Sequence, residues 1–138
     1  MLKVYLDASV IIAALLSSSG GSAKVIQIAK LAHLALITSQ NVVEEVEEHS
    51  LKIKRDKKII QKFIAHSGIL VRERILLSAI ESVEGIDLED RHLIAGAKLT
   101  ECNLLVTLDK KHLLKGEVKD SFKPLKIVTP GELLENLV

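Results

Sequence analysis

The feature that most constrains this chain is a repeated handover from a short apolar run to a helical pattern. "LKVYL" (2–6) reads as a buried strand and Ala8–Leu16 as a helix, which "SSSGG" at 17–21 breaks. Ser22–His33 has Val25, Ile28, Ala29 and Ala32 at helical spacing, and "LALIT" (34–38) is a second strand. Ser39 is placed to cap a helix through "QNVVEEVEEHSLK", and Arg55–His66 is a basic amphipathic helix with Ile59, Ile60, Phe63 and Ile64 inward. "GILVRE" (68–73) is a third strand and Ile75–Val83 a further helix. Asp87 caps an Ala- and Leu-rich helix reaching about Glu101, and "NLLVTLD" (103–109) is a fourth, doubly buried strand. "KKHLLKG" is a short helix or turn, "PLKIVTP" (124–130) a last strand, and Pro130 opens a closing helix.

Strands that alternate with helices belong to a parallel sheet covered on both faces, here a three-layer α/β/α sandwich of about five strands. At 138 residues, with no linker, repeat or low-complexity tract, the expectation is a single domain over residues 1–138. Aromatic residues are only 2%, so Leu, Ile, Val and Ala must build the core, and stacking platforms for bases are scarce. A formal net charge of +1 leaves no global pull toward nucleic acid or an anionic membrane. Local basic clusters remain at 52–58, at Arg72 and Arg74, and at Lys110 and Lys111, which could meet phosphates. The apolar run Val10–Leu16 is too short for a secretory signal, no stretch reaches the ~18 residues of a membrane span, and the single Cys102 excludes an intrachain disulfide. A cytoplasmic protein, with no membrane partner, is expected.

Against this background Asp7 stands out. It is the only charge between Lys3 and Lys24, and it sits where an apolar strand passes into an apolar helix. A carboxylate is costly there without compensation. In an open parallel sheet, ligands gather beyond the carboxyl ends of strands where the strand order reverses. With the order 3-2-1-4, Asp7 and Asp109 end neighbouring strands and share one crevice. Asp90 in the first turn of its helix and Glu45, between Val42 and Val46, are the candidates to join them, and Glu44 is the alternative to Glu45. Taken singly, Asp87 reads as a cap and Asp90 as a first-turn acid, while Glu44, Glu47 and Glu48 read as a solvated face. Converging carboxylates repel, and a hard divalent cation, Mg²⁺ or Mn²⁺, resolves the repulsion. Such ions promote phosphodiester hydrolysis. His33, His49, His66, His92 and His112 lack zinc-like spacing and read as structural or surface residues.

The same stretches resemble the PIN-domain nucleases, VapC-like toxins among them. "YLDAS" is similar to that family's opening strand, "TSQNVVEEV" to its Ser-to-Glu helix, and "DLEDRHLIAGAKLTECNLLVTLDKKHLL" to its Asp, Ala-rich helix and Thr-x-Asp strand. The closing "IVTPGELL" is also usual there. The resemblance implies an α/β/α sandwich and a Mg²⁺- or Mn²⁺-dependent endoribonuclease. It also implies metal-binding and catalytic roles for Asp7, Glu45, Asp90 and Asp109, supported by the hydroxyls of Ser9 and Thr107. Many small stand-alone members resemble the toxin halves of toxin–antitoxin pairs, and the resemblance thereby implies an RNA substrate, a candidate antitoxin partner and a homodimer. Two rival readings remain: a phosphatase with Asp7 as nucleophile, which expects an acid where Ser9 stands, and a non-catalytic RNA- or protein-binding module.

Overall fold

The computed structural model describes residues 1–137. The elements run β1 (Leu2–Leu6), α1 (Ala8–Leu16), α2 (Gly21–Ile28), β2 (Leu34–Ser39), α3 (Gln40–Glu48), α4 (Lys57–His66) and β3 (Leu70–Arg72). They continue with α5 (Leu77–Glu81), a 3₁₀ turn (Leu88–Asp90), α6 (Arg91–Leu99), β4 (Leu104–Val106), α7 (Gly116–Ser121), β5 (Lys126–Val128) and α8 (Pro130–Asn136). The strands form one sheet in the order β3-β2-β1-β4-β5, and every pairing is parallel. This is the expected α/β architecture, and the expected 3-2-1-4 order holds with β5 added outside β4.

β1 lies in the middle of the sheet. Val4, Tyr5 and Leu6 are fully buried, and they pair in register with Leu36 and Ile37 on one side and Leu104, Leu105 and Val106 on the other. The core is aliphatic almost throughout, with Val10, Ile11, Val25, Val42, Val46, Ile60, Leu93, Ile94 and Leu133 from the covering helices. Besides Phe122, Tyr5 is the exception. Its hydroxyl donates to Ser39 Oγ at 2.7 Å, and burial pushes it up to about 12, so it remains a donor. Gly96 of α6 crosses this ring so closely that a Cβ there would stand 2.3 Å from the Tyr5 oxygen and 2.7 Å from Ile75 Cδ1. The missing side chain is what lets α6 lie down on β1.

Several boundaries differ from the sequence reading. α2 ends at Ile28 rather than His33, because the chain turns through His33 at φ 57 to enter β2. α3 stops at Glu48, short of Lys52. Ser39 holds the N-cap position of α3 without bonding to it, since its hydroxyl serves Tyr5 instead. Asp56 does cap α4, accepting from the Ile59 amide at 2.9 Å. Asp87 does not cap: it precedes a 3₁₀ turn, its side chain makes no capping bond, and α6 begins only at Arg91. α8 starts at Pro130 as expected, and a capping box between Thr129 and Glu132 secures that start.

Candidate metal centre

The carboxyl ends of β1 and β4 lie side by side, and the residues just past them build the site. Asp7 comes directly after β1 and is only 5% exposed. Ser9 Oγ donates to Asp7 Oδ2 at 3.0 Å, and Thr107 Oγ1 donates to the same oxygen at 2.6 Å. Each hydroxyl also accepts from the segment that follows β4: Ser9 Oγ from the Leu108 amide at 3.2 Å, Thr107 Oγ1 from the Asp109 amide at 3.1 Å. The two hydroxyls therefore tie the β4 exit to Asp7 and fix one of its oxygens, and neither takes up Oδ1. Burial pushes the Asp7 carboxyl above its ordinary range, the Thr107 and Ser9 hydroxyls oppose this, and the charge of Glu45 adds to it.

Asp90 reaches the same place from the 3₁₀ turn before α6. It is half-buried, and it is pushed up to about 6, first by burial and then by the charges of Asp109 and Asp7. Asp109 accepts from the His112 amide at 3.1 Å, and His112 Nδ1 lies 3.3 Å from its second oxygen. α3 supplies Glu45, whose charge is felt at Asp7 and whose Oε1 is 3.4 Å from His92 Nε2. Its neighbour Glu44 is turned away and engaged by Arg74, which donates to both of its oxygens. Asp7, Glu45, Asp90 and Asp109 are thus brought into one electrostatic neighbourhood, whereas Glu44 points into an ion pair outside it.

Two histidines arrive that sequence spacing does not flag. His112 stands between Asp109 and Asp87, 3.8 Å from Asp87 Oδ2, and Asp87, Asp90 and His112 offer ligand atoms within 4.8 Å of one another. His92 faces Glu45. Only the three-residue step from Asp109 to His112 hints at the first contact. The second depends on how α3 and α6 pack. Among the described residues, no lysine or arginine forms an ion pair with Asp7, Glu45, Asp90 or Asp109. A concavity of ≈ 700 Å³ among Met1, Ile26, Leu34 and Phe63 opens at the opposite ends of β1 and β2 and is lined by no acid.

A family model described as PIN domain matches residues 3–111, a span that contains all four acids. The chain belongs to the PIN-domain family. Among solved structures, this PIN domain is similar to VapC20 of Mycobacterium tuberculosis, described as a sarcin–ricin loop cleaving toxin. The TM-score is 0.54 at 11% identity, over 78% of this chain and 91% of that one. At that identity the likeness concerns the fold. A search of curated proteins found no match to this chain's sequence. Among the described residues, no single helix is long and apolar enough to cross a membrane.

Proposed function

We propose that this PIN domain is a divalent-cation-dependent endoribonuclease, with Asp7, Glu45, Asp90 and Asp109 as its ion-binding carboxylates. The observation that carries the reading is the gathering of four acids without a lysine or arginine partner, at a cost visible in the raised Asp90. All-carboxylate donors suit a hard ion, Mg²⁺ or Mn²⁺, and the nearby imidazole of His112 is a ligand type that Mn²⁺ accepts more readily than Mg²⁺. When bound, such an ion supplies the positive charge that activates water and stabilises the leaving oxygen of a phosphodiester.

The chain's own residues do the rest. Ser9 and Thr107 hold Asp7 by Oδ2, so that Oδ1 keeps a fixed direction. The amide of His112 does the same for Asp109 Oδ1. Asp90 gives up its proton readily when compensating charge arrives, since it titrates near neutrality without it. Lys110 and Lys111, both exposed just past Asp109, meet phosphates and position a strand without reading its sequence.

RNA rather than another phosphodiester is favoured by family membership and by the fold shared with VapC20, and the same likeness supports a toxin role. An antitoxin partner, a homodimer and action in the cytoplasm accompany that role. The decisive test is cleavage of structured RNA in Mn²⁺ or Mg²⁺, lost in EDTA and in Asp7→Asn or Asp109→Asn while circular dichroism stays unchanged. Undiminished cleavage by both variants excludes this centre. A cation-independent RNA binder with no cleavage supports the non-catalytic reading instead.

A further inference from the structure

His92 lies two residues beyond Asp90, on α6, and its side chain is only 12% exposed. One ring nitrogen, Nε2, faces Glu45 Oε1 at 3.4 Å. The other, Nδ1, is fully buried and has no hydrogen-bond partner, the one such side-chain nitrogen or oxygen among the described residues. An unpaired polar atom in the interior opposes folding, and an apolar ring of the same size at this position avoids it. The imidazole is therefore a poor choice for packing alone. What its other nitrogen faces is the Glu45 carboxylate.

A carboxylate only accepts, so the nitrogen that faces it carries the proton and the buried Nδ1 keeps a lone pair. The 3.4 Å contact is a few tenths of an ångström beyond a full hydrogen bond, and a small turn about the Glu45 side chain closes it. Glu45 needs such a guide. It is the longest and most flexible of the four acids and the only one carried by α3, and no lysine or arginine among the described residues pairs with it. Asp7 and Asp109, by contrast, are held by hydroxyls and backbone amides.

We infer that His92 is a positioning residue, whose Nε2–H spans the gap between α6 and α3 to hold the Glu45 carboxylate toward Asp7 and so raise the centre's affinity for a divalent ion. This rests on the ion-binding reading above. Partners that orient ligands in this way are typically worth ten- to a hundredfold in metal affinity.

The test is Mn²⁺ titration by calorimetry on the full chain, with a melting curve of each variant in EDTA. His92→Phe keeps the ring and removes both nitrogens. Expected is a melting temperature equal to wild type or higher, and Mn²⁺ affinity about tenfold weaker. His92→Gln places an amide N–H as many bonds from Cα as Nε2 and is expected to stay within about twofold of wild type. In a Glu45→Gln background, His92→Phe should have no further effect. Wild-type affinity in His92→Phe overturns the inference and leaves the metal centre standing. A His92→Phe protein that melts far lower, or fails to fold, assigns His92 to packing and overturns it too. Absence of Mn²⁺ binding by the wild type removes both readings.

Discussion

Asp90→Asn offers a test in which the sign of the effect reverses with conditions. In the ion-free protein Asp90 is raised from 3.8 to about 6, mainly by burial and then by Asp109 and Asp7. Between those values the folded chain holds a proton that the unfolded chain has released. Stability therefore falls as pH rises through about 4–6, and the penalty is fully present above that window. Undiscounted, the difference corresponds to ~3 kcal/mol. Asp90 is half-exposed and solvent screens it, so about 1 kcal/mol is the working figure. For a chain of this length that is about 3–4 °C in melting temperature. Asparagine has the same shape without the charge, and the Asp90 side chain makes no capping bond that it would lose. In EDTA the variant should melt about 3–4 °C above wild type at a pH of about 7.5 and level with it at about 3, below both values. In Mn²⁺ at about a hundred times its dissociation constant, the wild type gains ~2.7 kcal/mol, the variant has lost a ligand, and the order inverts. Differential scanning fluorimetry at the two pH values, with and without Mn²⁺, reads all four states. A variant that melts at or below wild type in neutral EDTA refutes the claim that the acids are crowded. A variant that keeps the full Mn²⁺ shift refutes Asp90 as a ligand.

Other outcomes rest on the same geometry. Thr107→Val should cost about 1–3 kcal/mol in chemical denaturation, because it strips the donor from Asp7 Oδ2 and the acceptor from the Asp109 amide, while Thr107→Ser should retain most of it. Glu44→Gln should leave Mn²⁺ affinity unchanged and stability little altered in urea denaturation, since Glu44 is committed to a solvent-exposed ion pair with Arg74. A Glu44 variant that loses Mn²⁺ binding would exchange the roles of the two glutamates. Gly96→Ala gains about 1 kcal/mol from helix propensity, yet the new Cβ would collide with Tyr5. A net loss of stability is expected, with overpacking costing about 1–3 kcal/mol or more, and a net gain in urea denaturation would contradict the close crossing.

What the sequence discloses and what it conceals divide along physical lines. Strand order and the meeting of Asp7 with Asp109 are legible because parallel βαβ units leave few topologies, and a lone acid at the end of an apolar strand marks the reversal point. Asp90 is legible from its place ahead of an Ala-rich helix. Glu44 and Glu45 cannot be separated by sequence, because both lie half-buried on α3 and the residue that distinguishes them, Arg74, comes from beyond β3. His112 and His92 read as bystanders for a similar reason: their partners are set by loop closure and helix packing rather than by spacing. Asp87 looks like a cap because capping residues share its chemistry, but the chain enters α6 through a 3₁₀ turn and leaves that carboxylate free to face His112. α7 is hidden because Gly116–Ser121 is short and buries none of its residues.

The central position of β1 also bears on how the molecule comes into being. Its first acid is made at residue 7, but the strand that brings Asp109 beside it is made about a hundred residues later, and the hydroxyl bond from Thr107 spans that whole interval. Contacts so distant along the chain form late and slowly. During synthesis an emerging polypeptide therefore carries its acids scattered. The four acids cannot act together until β4 has left the exit tunnel and docked against β1.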